Sequence, residues 1–94
     1  MYLAIAFIGA GTSWTSGPNL EKTVKKCAKL VSWDWGSLYE INKPISVHVY
    51  DITGCEDWYL DHWGSRGVFA KGTDEPVPYL KFVETTVPPY KRGR

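Results

Sequence analysis

Several scarcities narrow the reading of this chain before any motif does. It has two cysteines, Cys27 and Cys55, so at most one disulfide, and no Cys-x-x-Cys pair. Small secreted domains lean on dense disulfide frameworks, so the expected state is two reduced thiols in a cytoplasmic protein. The opening apolar run, Met1 to Ile8, has no basic residue before it and falls well short of the about 20 residues that a helical membrane span needs. It reads as a buried strand, and no membrane partner is expected. The two histidines, His48 and His62, form no His-x-x-x-His pair, and a zinc site needs at least three converging ligands. No Gly-Lys-Ser/Thr closes a phosphate loop, and no RNP-type or helix-turn-helix pattern occurs. Pro88-Pro89-Tyr90 lacks the spacer of a PPxY ligand, and no internal repeat is present. The expectation is a chain with no catalytic residue, metal or cofactor.

What the chain does have is aromatic surface. Trp14, Trp33, Trp35, Trp58 and Trp63 join six tyrosines within 94 residues. A domain of this length buries only about two-thirds of its unfolded surface, so some of these rings are expected outside. Apolar residues make up 44% and charged residues 22%, which is ordinary globular usage and argues against disorder. The net charge of +1 hides an uneven distribution. Asp51, Glu56, Asp57 and Asp61 cluster without a basic neighbour, while Lys22, Lys25, Lys26 and Lys29 crowd one segment and Lys91, Arg92 and Arg94 close the chain.

Periodicity gives the elements. Leu20, Val24, Cys27, Ala28, Val31 and Trp35 fall on one stripe of a 3.6-residue helix, with the lysines opposite. Ser16 is the expected cap, Pro18 suits the first turn, and Gly36 suits the end. In the first strand Leu3, Ile5 and Phe7 share one face and Ala4 and Ala6 the other, which predicts a central strand with the helix close over its small face. Ile45, Val47 and Val49 alternate with Ser46, His48 and Tyr50 in a second strand. Residues 58–63, 68–70 and 79–87 complete the set, separated by Gly- and Pro-rich turns. The fold expected is a single α+β domain over residues 1–87, in the order β-α-β-β-(β)-β. It has a mixed, mostly antiparallel sheet of four to five strands, one amphipathic helix on one face, and a mobile Pro/basic tail at 88–94. A helix between the first two strands would make their connection a crossover. One helix covers one face, so a curled sheet, a loop, a second copy or a partner must cover the other.

Three candidate sites compete. The aromatic and acidic strip Tyr50, Asp51, Glu56, Asp57, Tyr59, Asp61 and Trp63 has the composition of a partner-binding surface, where rings supply contact energy and carboxylates supply register. Gly9, Gly11, Thr12 and Ser13 follow a strand and precede the helix, so the Gly9 to Gly17 segment is the alternative, a small-ligand or nucleotide loop at a helix N-terminus. Lys22, Lys25, Lys26 and Lys29 offer a second alternative, phosphate contacts to nucleic acid. A nucleic-acid partner ranks behind a protein because the acidic strip would repel a phosphate backbone. The reading is a cytoplasmic, non-enzymatic protein-interaction module, an inhibitor or adaptor of a larger protein or a homodimer. Compact, motif-free, Trp-rich chains of this size suit the viral accessory proteins that bacteriophages direct at host machinery.

Overall fold

The computed structural model describes residues 1–9, 11–39, 43–54, 57–61, 67–71 and 75–90, with the backbone alone at 59–61. In chain order the elements are β1 (Tyr2–Ile8), β2 (Gly11–Gly17), α1 (Leu20–Trp35), β3 (Pro44–Asp51), β4 (Trp58–Asp61), β5 (Gly67–Ala70) and β6 (Tyr79–Thr86). Four of the strands form a sheet in the order β2-β1-β3-β6, and β4 pairs with β5 in a separate two-stranded sheet. The class is α+β, with a single helix among the described residues, as the periodicity implies. Every described pairing is antiparallel.

The strand β2 is the chief departure from the sequence reading. Gly9 takes φ +55, a left-handed conformation that glycine adopts without a Cβ penalty, and the chain folds back so that Ile8 faces Gly11. Ser13 and Thr15 then point inward while Trp14 and Ser16 are exposed. The alternation is that of a strand, but hydroxyl side chains occupy the inward positions, so the apolar signature is missing. Ser16 therefore lies in β2 and does not cap the helix. Asn19 does so: its side-chain oxygen accepts the Lys22 N–H at 3.0 Å, and its carbonyl accepts the Thr23 hydroxyl at 2.6 Å. Because β2 reverses the chain, the helical crossover joins β2 to β3 and passes over β1, which sits between them and pairs antiparallel with both.

The main sheet separates two cores. On one face Ala4, Ala6, Val47 and Val49 pack against Val24, Cys27 and Val31 of α1. The small alanines bring the helix close to the centre of the sheet. The Cys27 thiol donates to the carbonyls of Ala4 and Ser13, and burial pushes it up to about 12, so it acts as an apolar filler and not as a nucleophile. At the far end of α1, Trp35 Nε1 donates to the Thr12 carbonyl at 3.3 Å and Ser13 donates to the Asp34 carboxylate at 3.0 Å. On the other face Leu3 and Ile5 are covered by Val68 of β5, with Ile52 and Val77 beside them and Tyr50 and Trp58 at the margin. Trp58 meets Trp14 edge-on, with centroids 4.8 Å apart. The β4–β5 hairpin thus supplies part of the cover that one helix cannot.

Val87 is buried, and residues 88–90 continue against the helix, with Tyr90 beside Gly36. The packed chain thus runs past 87, where the mobile tail was expected to begin, and residues 91–94 lie outside the described ones. Among the described residues no helix is long and apolar enough to cross a membrane.

Candidate functional site

Strand alternation places Leu3, Ile5 and Phe7 of β1 on the same face as His48 and Tyr50 of β3, and the register sets His48 between Ile5 on one side and Phe82 on the other. The β4–β5 hairpin lies over the Leu3 and Ile5 end of this face. Beyond it the face is open. His48 is half-buried, while Phe7, Tyr79 and Phe82 are 48%, 49% and 59% exposed. The rings converge on the imidazole: Phe7 stands edge-on at 6.1 Å between centroids, Tyr79 at 6.0 Å and Phe82 at 6.4 Å. The Tyr79 hydroxyl and His48 Nδ1 are 3.4 Å apart, and Tyr50 packs edge-on to Tyr79 at 5.2 Å. Burial and the neighbouring Tyr79 hold the Tyr50 phenol above its ordinary value.

This arrangement presents ring edges and faces on a rigid, hydrogen-bonded sheet, with one polar ring at the centre. Its boundary is β6, the last strand in the sheet order, whose only strand neighbour among the described residues is β3. Leu80 adds a further 45%-exposed apolar side chain on that strand, and Lys81 and Glu84 punctuate it with charge.

The expected partner-binding strip is only partly brought into this cluster. Tyr50 joins it. Asp51 ends β3 and accepts the Thr53 N–H at 2.9 Å; the Thr53 hydrogen bonds hold its carboxyl below the usual range, which marks a turn-forming role. Asp57 is exposed and precedes β4, with its carbonyl accepting the Lys71 N–H at 2.5 Å. Tyr59 and Asp61 lie in β4, paired with Phe69 and Gly67, and are described through their backbone only. Glu56 and Trp63 lie outside the described residues, as do Cys55 and His62. Phe7, His48, Tyr79 and Phe82 are the members that the sequence reading missed. The period-two pattern of β1 already put Phe7 in line with Leu3 and Ile5, and this was the available signal.

The glycine loop is corrected outright. Gly9 forms the β1–β2 turn and Gly11, Thr12 and Ser13 belong to β2, so the helix N-terminus begins one full strand later, at the opposite end of β2. What lies beside the glycines is the C-terminal end of the helix. A Cβ on Gly11 would stand 2.5 Å from the Trp35 ring, and one on Gly9 would collide with the Tyr39 ring. The glycines are there for close packing. Lys22, Lys25, Lys26 and Lys29 are all exposed on the side of α1 away from the sheet. Among the described residues no group of three His, Cys, Asp or Glu side chains converges on a common point. No protein-family model, no curated protein and no solved structure matches this chain.

Proposed function

We propose that this chain is a cytoplasmic protein-binding module, an inhibitor or adaptor, that seats a larger protein on the aromatic face around His48. The observation that supports this most is the cluster itself: three large rings, each about half exposed, gathered on one rigid surface. Aromatic side chains bury 150–250 Å² each when covered, so Phe7, Tyr79 and Phe82, each about half exposed, leave roughly 300 Å² of apolar surface for a partner. A stable interface uses about 800 Å² per side, with an aromatic centre and a polar rim. The cluster is the size of such a centre, and Thr12, Ser46 and Glu84 are placed to form a rim. The partner fitting this site brings an extended segment alongside β6, with apolar side chains over Phe82 and Tyr79.

A second copy of the chain fits less well. Antiparallel self-pairing of β6 about a two-fold axis sets a residue opposite its own copy. Depending on the register, it places Lys81 against Lys81, Glu84 against Glu84, or Glu84 against Leu80 or Phe82. Like charges or an acid facing an apolar side chain oppose each of these pairings.

The test is an affinity pull-down from nuclease-treated cytoplasmic lysate at about 150 mM salt. Three baits are compared: the wild type, Phe82→Asp, and the double variant Lys25→Glu with Lys26→Glu. A single stoichiometric protein retained by the wild type and the lysine variant, and lost with Phe82→Asp, is the expected result. Equal retention by folded Phe82→Asp, or a wild type that self-associates and captures nothing, would overturn the reading.

A further inference from the structure

The helix carries a feature that the aromatic face does not use. At 3.6 residues per turn, Lys22, Lys26, Lys29 and Trp33 fall within an arc of about 60° on α1, with Lys25 flanking it. Val24, Cys27 and Val31, which pack into the sheet, occupy the opposite side. The stripe therefore points straight into solvent. Trp33 is 77% exposed, the most exposed of the large hydrophobic side chains described, and it ends a file of three lysines that Lys25 flanks. The helix has two acids. Glu21 lies at its start, and Asp34 is engaged by the Ser13 hydroxyl. Beside Trp33 is an open groove of about 300 Å³ lined by Lys29, Ser32, Trp33, Pro88, Pro89 and Tyr90.

We infer that this face binds single-stranded nucleic acid, with the lysines contacting successive phosphates and a base stacking on Trp33 at the groove. Lysines in file followed by an exposed flat ring are the two elements of sequence-tolerant single-strand binding: an electrostatic track for the backbone and a platform for a base. The stripe runs about 16 Å from Lys22 to Trp33, enough for a few nucleotides. The groove is at the lower end of the range for sites that hold a small planar group. A duplex keeps its bases stacked inside and offers none to Trp33. A membrane surface is the other anionic partner, but an interfacial helix buries a broad apolar face in lipid, and the apolar face of α1 is spent on the sheet.

The experiment measures anisotropy of labelled oligothymidylate, the same strand in a duplex, and sedimentation with vesicles of phosphatidylcholine and phosphatidylserine, between about 50 and about 200 mM salt. Binding to the single strand is expected, with a log–log salt slope of about −3, as four phosphate contacts require. Trp33→Ala is expected to weaken it about tenfold without changing the slope. Lys26→Glu with Lys29→Glu is expected to flatten the slope. Both changes are on the solvent side, and melting curves confirm that the variants are folded. Failure of the wild type to bind the single strand, preference for the vesicles or the duplex, or an unchanged affinity in Trp33→Ala would each overturn the inference. Phe82→Asp is expected to bind the oligonucleotide like the wild type, so loss of the protein partner and loss of this activity are separable.

Discussion

The two faces of the main sheet are closed by covers of very different reach. A 16-residue helix, about 24 Å long, lies across one face and leaves Ala4, Ala6, Val47 and Val49 fully buried. Two four-residue strands, about 13 Å long, lie across the other and bury Leu3 and Ile5, leaving Phe7 and Phe82 in solvent. The side chains match their covers. The helix side uses small and β-branched residues that admit a close neighbour, and the hairpin side carries large rings where its cover stops. A sheet can thus be sealed for stability on one face and left open for contact on the other, and the length of the covering element decides where the boundary falls.

Substitutions that cross this boundary should separate the two roles. Ile5→Ala, under the hairpin, removes a fully buried side chain and is expected to cost about 2–5 kcal/mol, read as a lowered midpoint in urea unfolding. An effect as small as a surface change would mean that the hairpin does not close a true second core. Ala6→Leu, under the helix, forces a larger side chain into a fully buried position packed against α1 and is expected to cost about 1–3 kcal/mol. Tolerance of leucine there would show that the helix rides higher than its contacts with the sheet indicate. Alkaline titration probes the helix side by another route. Burial raises the Cys27 thiol from 9.0 to about 12, so the stability it contributes is present below pH 9 and is lost as the pH climbs through the folded value. Stability should fall across that window in the wild type and fall less steeply in Cys27→Ala. Tyr50, raised in the same direction from the hairpin side, supplies the part that remains. The Phe82→Asp bait belongs at the small end of this series, with a stability change within about 0.5 kcal/mol, because more than half of its side chain is already in water.

The sequence made some of this legible and hid the rest for physical reasons. The helix and β3 show in the hydrophobic period because each buries one apolar face against the core. The small face of β1, Ala4 and Ala6, foretold a close helix. Strand β2 stayed hidden because Ser13 and Thr15 face inward and Trp14 faces out, which inverts the usual pattern, and its glycines resembled a ligand loop. The candidate site was hidden for a different reason. Phe7, His48 and Phe82 come from three strands, and their meeting depends on register, which no local window contains. Tyr50 is legible because it adjoins the acidic run Asp51 to Asp61, whereas Phe82 of β6 has no such run beside it.

The placement of β1 also bears on how the chain is made. Its hairpin partner β2 follows after a tight turn, but its other neighbour, β3, begins only at Pro44. During synthesis one edge of the most apolar strand can be satisfied almost at once, while the other waits for some forty residues and a whole helix to emerge. Pairings over such separations form slowly, and an unpaired apolar edge is open to other chains in the meantime. The central strand of the finished sheet is thus its most vulnerable element in the nascent one, and the early β1–β2 hairpin halves that exposure.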